Sequence, residues 1–126
     1  VGALGLWQFM IPTAREYGLV VDPGRGIDER TDPTKATHAA ARYFAWLLRR
    51  FGSEQMMCAI ASYNRGPGGV QNAMNKIEDP LYPSSKRFWY MVEHDLLPDE
   101  TSQYVPKIFA VAILASSPER FGFDAP

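Results

Sequence analysis

Apolar residues along most of this chain recur at three- and four-residue steps, the period of a helix with one buried face. The clearest case follows Asp32-Pro33, an N-cap residue with proline at the first helical position. From there Ala36, Ala39, Ala40, Tyr43, Leu47 and Phe51 line one side of a helix predicted over 33–51, with Gly52 as its stop. A short helix is predicted before it, over 13–17, ended by Gly18. Residues 19–31, with Pro23, Gly24 and Gly26, read as a loop closed by Asp28-Glu29-Arg30. After Ser53, a helix over 54–64 carries Met57, Ile60, Ala61 and Asn64 on one side and breaks at Arg65-Gly66-Pro67-Gly68-Gly69. Further helices are predicted over 70–77 and from Ser84 or Ser85 to His94. The last begins at Asp99 or Thr101, with Pro106 in its first turns, where a missing N–H is tolerated. Its segment 108–115 is apolar on every side and is expected at the centre of the bundle. No stretch shows strand alternation between hairpin turns. The expected class is all-α, about six short helices around a central apolar helix at about 105–116.

Three places put polar groups into this apolar pattern. Gly2-Ala3-Leu4-Gly5-Leu6-Trp7-Gln8-Phe9-Met10 holds one amide, Gln8, whose partner can be backbone, another side chain or a ligand. Ser62-Tyr63-Asn64 stands at a helix end before glycines, where Asn64 can cap the helix or project into a cleft. Tyr104 stands in Tyr104-Val105-Pro106, either anchoring a loop to the core or facing a site.

Composition narrows the classes. The 126 residues suit one domain spanning 1–126, and 46% hydrophobic content is enough for a core. The formal net charge is −1 and Arg49-Arg50 is only a pair, so nothing points to nucleic acid. The longest apolar run is too short to cross a bilayer. The single cysteine, Cys58, allows no internal disulfide and reads as a small buried hydrophobe. His38 and His94 lack metal-ligand spacing, so neither a metal nor a cofactor is expected. The chain opens at Val1 with no basic leader, in the middle of a motif, and is expected to be a piece of a longer protein.

Taken together, the motifs resemble one family. Gly5-Leu6-Trp7-Gln8-Phe9-Met10 is similar to its Gly-Leu-Met/Trp-Gln-x-Met motif, and Ser62-Tyr63-Asn64 with the glycines after it to its Ala-Tyr-Asn motif. Leu97-Pro98-Asp99-Glu100-Thr101 and Tyr104-Val105-Pro106-Lys107-Ile108 resemble its Leu-Pro-x-Glu-Thr and Tyr-Val-Pro-Lys-Ile segments. Asp28-Glu29-Arg30-Thr31-Asp32-Pro33 fits the same subgroup. The family is the soluble-type lytic transglycosylase domain, related to goose-type lysozyme; the subgroup is the membrane-bound lytic murein transglycosylase D type. The resemblance covers nearly the whole chain, in order.

It implies a lysozyme-like helical fold and cleavage of the β-1,4 bond between N-acetylmuramic acid and N-acetylglucosamine in peptidoglycan. One glutamate acts as acid and then as base, and a 1,6-anhydro ring closes on the product. That is a substrate-assisted exception to the two-carboxylate scheme. It also implies that Gln8, Met10 and Asn64 bind substrate and that Tyr63 and Tyr104 support the catalytic carboxyl. The implied partner is the peptidoglycan glycan strand, the location the bacterial cell envelope (periplasm or outer membrane), and the state a monomer that reaches a membrane only through other parts of its protein. The family's Glu-Ser motif is absent, and the acid is expected upstream of Val1. Glu54 and Glu100 do not replace it: each stands in the first turn of a different helix. A second departure is Ile11 between Met10 and Pro12, where the family usually has proline next. Without its acid, the chain is expected to cleave little or nothing. The competing class is a non-catalytic helical module that binds peptidoglycan or chitooligosaccharide.

Overall fold

The computed structural model describes residues 2–124, and the backbone divides into two compact units, 1–49 and 50–126. Among the described residues there are six α-helices and one two-stranded sheet, so the all-α class holds.

The first unit opens with a tight turn. Leu4 and Phe9 form an isolated antiparallel bridge, and residues 5–8 close it. Helix α1, Ile11–Glu16, follows at once, with Pro12 in its first turn where no N–H is needed. The predicted loop contains a small hairpin: β1, Val21–Asp22, pairs antiparallel with β2, Ile27–Asp28, in the register Val21 to Asp28 and Asp22 to Ile27. Two residues per strand are too few to alternate, which is why the pattern did not reveal them. The connecting 3-10 turn, Pro23–Arg25, is capped by the Asp22 carboxylate, which accepts from the Arg25 N–H at 3.2 Å.

Helix α2, Pro33–Phe51, has the predicted bounds. Asp32 caps it, accepting from the Lys35 N–H at 3.0 Å. Of its predicted face, Ala36, Ala39, Ala40, Leu47 and Phe51 are buried and Tyr43 is half-buried. The alanines let the backbone come close to its neighbours, and Phe9, Ala14, Leu19 and Val21 fill the resulting core with Ala36, Ala39 and Ala40.

The second unit is built around α3, Met56–Arg65, which follows a 3-10 turn at Ser53–Gln55. Helix α4, Pro67–Met74, helix α5, Arg87–Glu93, and helix α6, Asp99–Ser116, all contact α3. This corrects the expected centre. Five consecutive residues of α3, Cys58 to Ser62, are buried. Four of them are small, so neighbours approach from several sides. Ser62 satisfies its hydroxyl within the helix by donating to the Cys58 carbonyl at 2.7 Å. The Cys58 thiol is buried as expected, and desolvation pushes its pKa up to about 11, so it is protonated and unreactive near neutral pH.

Helix α6 is not central. Only Thr101 and Val105 are buried; Ile108, Phe109, Val111 and Ile113 are exposed, Val111 at 62%. Pro106 also lies deeper than expected, at the eighth helical residue, where it removes a ladder bond to the Ser102 carbonyl. The all-round apolar pattern that suggested burial comes after this break. Among the described residues, no helix is long and apolar enough to cross a membrane.

Candidate functional site

The residues singled out in the sequence fall into two groups, one in each unit. In the first unit Gln8 and Met10 flank the turn that opens the chain. Gln8 takes a left-handed backbone, φ 52°, and its backbone N–H donates to the Gly5 carbonyl at 3.2 Å. Its side-chain Nε2 donates to the same carbonyl at 2.7 Å. The partner left open in the sequence is therefore backbone, but the residue is exposed, not buried. Met10 is exposed as well, and so is Leu6. The indole N–H of Trp7 donates to the Thr37 hydroxyl at 2.8 Å, which ties the turn to α2.

What holds this turn in shape is a residue the sequence reading passed over. Arg30 is buried at 6% exposure, although it stands in a charged run that reads as solvated. Its Nη1 donates to the carbonyls of Gly2 and Phe9, the latter at 3.0 Å. Its Nε and Nη2 form a bidentate pair with Asp28, at 2.9 and 2.6 Å. The hydrogen bonds from Arg30 hold the Asp28 carboxyl below its ordinary range, against a smaller opposing effect of burial. Gly5 supplies the other half of the fit. Its φ is +78°, and a Cβ there would lie 1.9 Å from the Arg30 carbonyl oxygen. The chemical signal was present in the sequence: a glycine such as Gly5 implies a close neighbour, and for Gly5 that neighbour is the 30–31 backbone.

In the second unit the α3 C-terminus meets the α6 N-terminus. Asn64 is the penultimate residue of α3 and does not cap it; Gly66 takes that place with φ 85°. The Asn64 side chain instead reaches across. Its Nδ2 donates to Glu100 Oε1 at 3.0 Å, and its Oδ1 accepts from the Thr101 hydroxyl at 2.8 Å. Thr101 is 1% exposed, so this amide satisfies a hydroxyl that has no solvent. Tyr104 is three residues after Thr101 and four after Glu100, hence on the same side of α6. It is half-buried, and desolvation raises its phenol pKa, so it stays a neutral donor at physiological pH. Tyr63, next to Asn64 in α3, is half-buried. Both phenols are thus partly exposed and partly packed, neither fully core nor fully surface.

Removing the linking amide should be felt. Asn64→Ala leaves the Thr101 hydroxyl buried without its acceptor, and a loss of about 1–3 kcal/mol is expected. In a double-mutant cycle with Thr101→Val, the two losses should be non-additive by about 1 kcal/mol, measured by denaturant unfolding. Simple additivity would mean that the hydrogen bond is not formed.

Comparison with known proteins agrees with the motifs. Residues 1–81 match the family model described as Transglycosylase SLT domain. The chain is 34% identical over 124 residues to membrane-bound lytic murein transglycosylase D of Escherichia coli (strain K12), covering 98% of this chain and 25% of that protein. It is 32% identical over 92 residues to membrane-bound lytic murein transglycosylase F of Shewanella loihica, covering 68% of this chain and 18% of that one. A third relative, peptidoglycan transglycosylase gp16 of Escherichia phage T7, is 39% identical over 71 residues, 56% of this chain and 5% of the phage protein. The chain thus spans a quarter or less of the length of these relatives. With the family match extending over more than half its residues, the chain belongs to the transglycosylase SLT domain family.

Proposed function

We propose that this chain is the glycan-holding part of a peptidoglycan lytic transglycosylase, working on the MurNAc-GlcNAc β-1,4 bond in the bacterial cell envelope. The observation that carries this reading is the seam between α3 and α6. Two motif segments far apart in sequence, 62–64 and 97–104, meet there through Asn64, Glu100 and Thr101. The names of the relatives, lytic murein transglycosylases and a peptidoglycan transglycosylase, support the same substrate.

In this reading Gln8 offers a sugar its carbonyl oxygen and its second amide N–H, since the first is spent on Gly5. Met10 supplies an apolar wall. Tyr63 and Tyr104 present phenol groups to the catalytic carboxyl, and Asn64 fixes the helix end that carries Tyr63. The acid itself is assigned to a segment preceding Val1. A general acid must hold its proton near neutral pH, so burial has to raise its pKa. Among the described residues, the two carboxyls with moved pKa values, Asp28 and Glu29, are both pushed down by their basic partners. That is the wrong direction for an acid. Supplied with the glutamate, the site would protonate the leaving oxygen, and the same carboxylate would then take the C6 hydroxyl proton as the anhydro ring closes.

The test has two arms. Chitotetraose titrated into this chain should bind, and Gln8→Ala should weaken that binding. On purified sacculi the chain alone should release no anhydromuropeptides, whereas a protein extended through the upstream glutamate helix should release them, as read by mass spectrometry. Anhydro products from the short chain would overturn the assignment of the acid. Free reducing ends from the extended protein would replace transglycosylation by lysozyme-type hydrolysis. Glycan binding with no turnover by the extended protein would leave a binding module.

A further inference from the structure

The chain carries one cysteine and five methionines. The cysteine is closed to oxidants, since the Cys58 thiol is buried and stays protonated near neutral pH. The methionines differ among themselves. Met91 is 0% exposed, Met57 and Met74 are half-buried, and Met56 and Met10 stand open at 45% and 52%. Met10 is therefore the most accessible thioether of the chain, and it borders the turn that presents Gln8.

Its seat is made of backbone. The chain is fixed on both sides of it. The Phe9 carbonyl accepts from Arg30 and from the Leu4 N–H, and the Met10 carbonyl accepts from the Ala14 N–H at 2.9 Å as α1 begins. The side chain lies across Gly2. A Cβ added to Gly2 would stand 2.8 Å from the Met10 sulfur and 2.6 Å from its terminal methyl. The thioether thus fills the room that a side chain at residue 2 would need. A soft, apolar sulfur suits that seat. A sulfoxide does not, because its oxygen is a polar acceptor that needs a donor. Toward Gly2 it meets a carbonyl that is itself an acceptor, already bound by Arg30. Only water on the outer side can satisfy it. With the backbone fixed, the oxidised side chain has to rotate outward and leave Gly2 uncovered.

We propose that Met10 is a reversible oxidation site for peroxides, at which the sulfoxide frees the side chain from Gly2 and so opens one wall of the turn. The step balances as a two-electron oxygen transfer. A sulfur lone pair attacks one peroxide oxygen, and the O–O bond breaks as the S–O bond forms. The proton on the transferred oxygen goes to the departing hydroxide, which leaves as water. Sulfur is oxidised and the peroxide is reduced. A methionine sulfoxide reductase reverses the change at the expense of two thiols, which become a disulfide, with release of water. The consequence for a glycan rests on the preceding reading, in which Met10 walls the sugar site; the oxidation itself does not.

The experiment treats the whole 126-residue chain with hydrogen peroxide and follows sulfoxide at each methionine by mass spectrometry of its peptides. Met10 should oxidise first, and Met91 about tenfold more slowly, because susceptibility follows exposure. The Gly2 and Ala3 amide resonances should move in the NMR spectrum of the oxidised chain and return after treatment with the reductase. Chitotetraose should bind the oxidised chain about fivefold more weakly, the value of one lost apolar contact of about 1 kcal/mol. Met10→Gln, which is polar without any oxidant, should show the same weakening. Met10→Leu should hold one sugar affinity before and after peroxide, whereas Met56→Leu should stay as sensitive as the parent. Oxidation of Met10 no faster than that of Met91 would overturn the inference, as would unmoved Gly2 and Ala3 amides, or a peroxide effect that persists in Met10→Leu. The two readings fail separately. If chitotetraose binds neither form while Met10 oxidises first and the amides move, the glycan reading falls and the oxidation site stands. If the unoxidised chain binds the sugar and peroxide leaves that affinity intact, the opening of the wall falls and the glycan reading stands.

Discussion

Gly5→Ala is expected to be the most damaging single methyl group that can be added to this chain. Two penalties coincide at this position. A φ of +78° is left-handed backbone, which costs an L-residue about 1–2 kcal/mol. The new Cβ would also stand 1.9 Å from the Arg30 carbonyl oxygen, a backbone atom that no rotamer change can move aside. The turn or the 28–31 segment has to shift, and both are held by the same guanidinium. A total loss of about 3–4 kcal/mol is expected, read as the shift in a urea unfolding midpoint at unchanged slope. Gly26→Ala is the matched control. Its φ is +66°, but nothing lies within 4 Å of its Cβ, so only the backbone penalty applies. Equal losses at the two positions would show that the contact with Arg30 adds nothing. Chitotetraose binding should fall with Gly5→Ala as well, because the turn presents Gln8.

Arg30→Met is expected to lose about 2–4 kcal/mol. The methionine fills most of the volume of the arginine stem but leaves the Gly2 carbonyl without its donor, at about 1–3 kcal/mol, and strips the Phe9 carbonyl of one of two donors, the Leu4 N–H at 3.2 Å remaining; it also removes the partner of Asp28. The acid limb of the stability profile separates this mechanism from simple loss of packing. In the folded chain the Asp28 carboxyl lies below its unfolded value because Arg30 donates to it. A depressed carboxyl contributes stability above the unfolded pKa of about 3.9, and that contribution is lost as pH falls through the folded value. The parent chain should therefore weaken steeply below about pH 4. Arg30→Met should do so less, because Asp28 has no partner left to lose. Glu29, lowered by Lys35, titrates in both and sets the residual slope. Urea midpoints at pH 7 and pH 3 measure the difference, and parallel profiles would rule the ion pair out as the cause.

These two residues also mark where the sequence was legible. Helix α2 could be read to the residue because every local signal agreed: the Asp32-Pro33 start, the alanine and leucine spacing, and the Gly52 stop. The pairing of Asn64 with the 97–101 segment could be suspected only from the motifs, since no periodicity predicts a bond across 36 positions. Arg30 was hidden by its neighbours. In the run Asp28-Glu29-Arg30 a single charged side chain turns inward, and that depends on which carbonyls come to meet it. Helix α6 misled for the opposite reason. Its composition describes a buried helix, yet burial is decided by what stands opposite, and only Thr101 and Val105 find such a surface.

Pro106 gives that last helix two unequal lives. Ahead of it, the first turns are held by Asn64 and by the burial of Thr101 and Val105. Behind it, an apolar rod continues past a missing rung with its greasy sides turned to water. Amide protons of the leading segment should outlast those of the trailing one in deuterated solvent, since sub-global opening follows the poorest anchorage. The proline acts as a firebreak: fraying that starts near Ser116 has a natural place to stop before it reaches Tyr104.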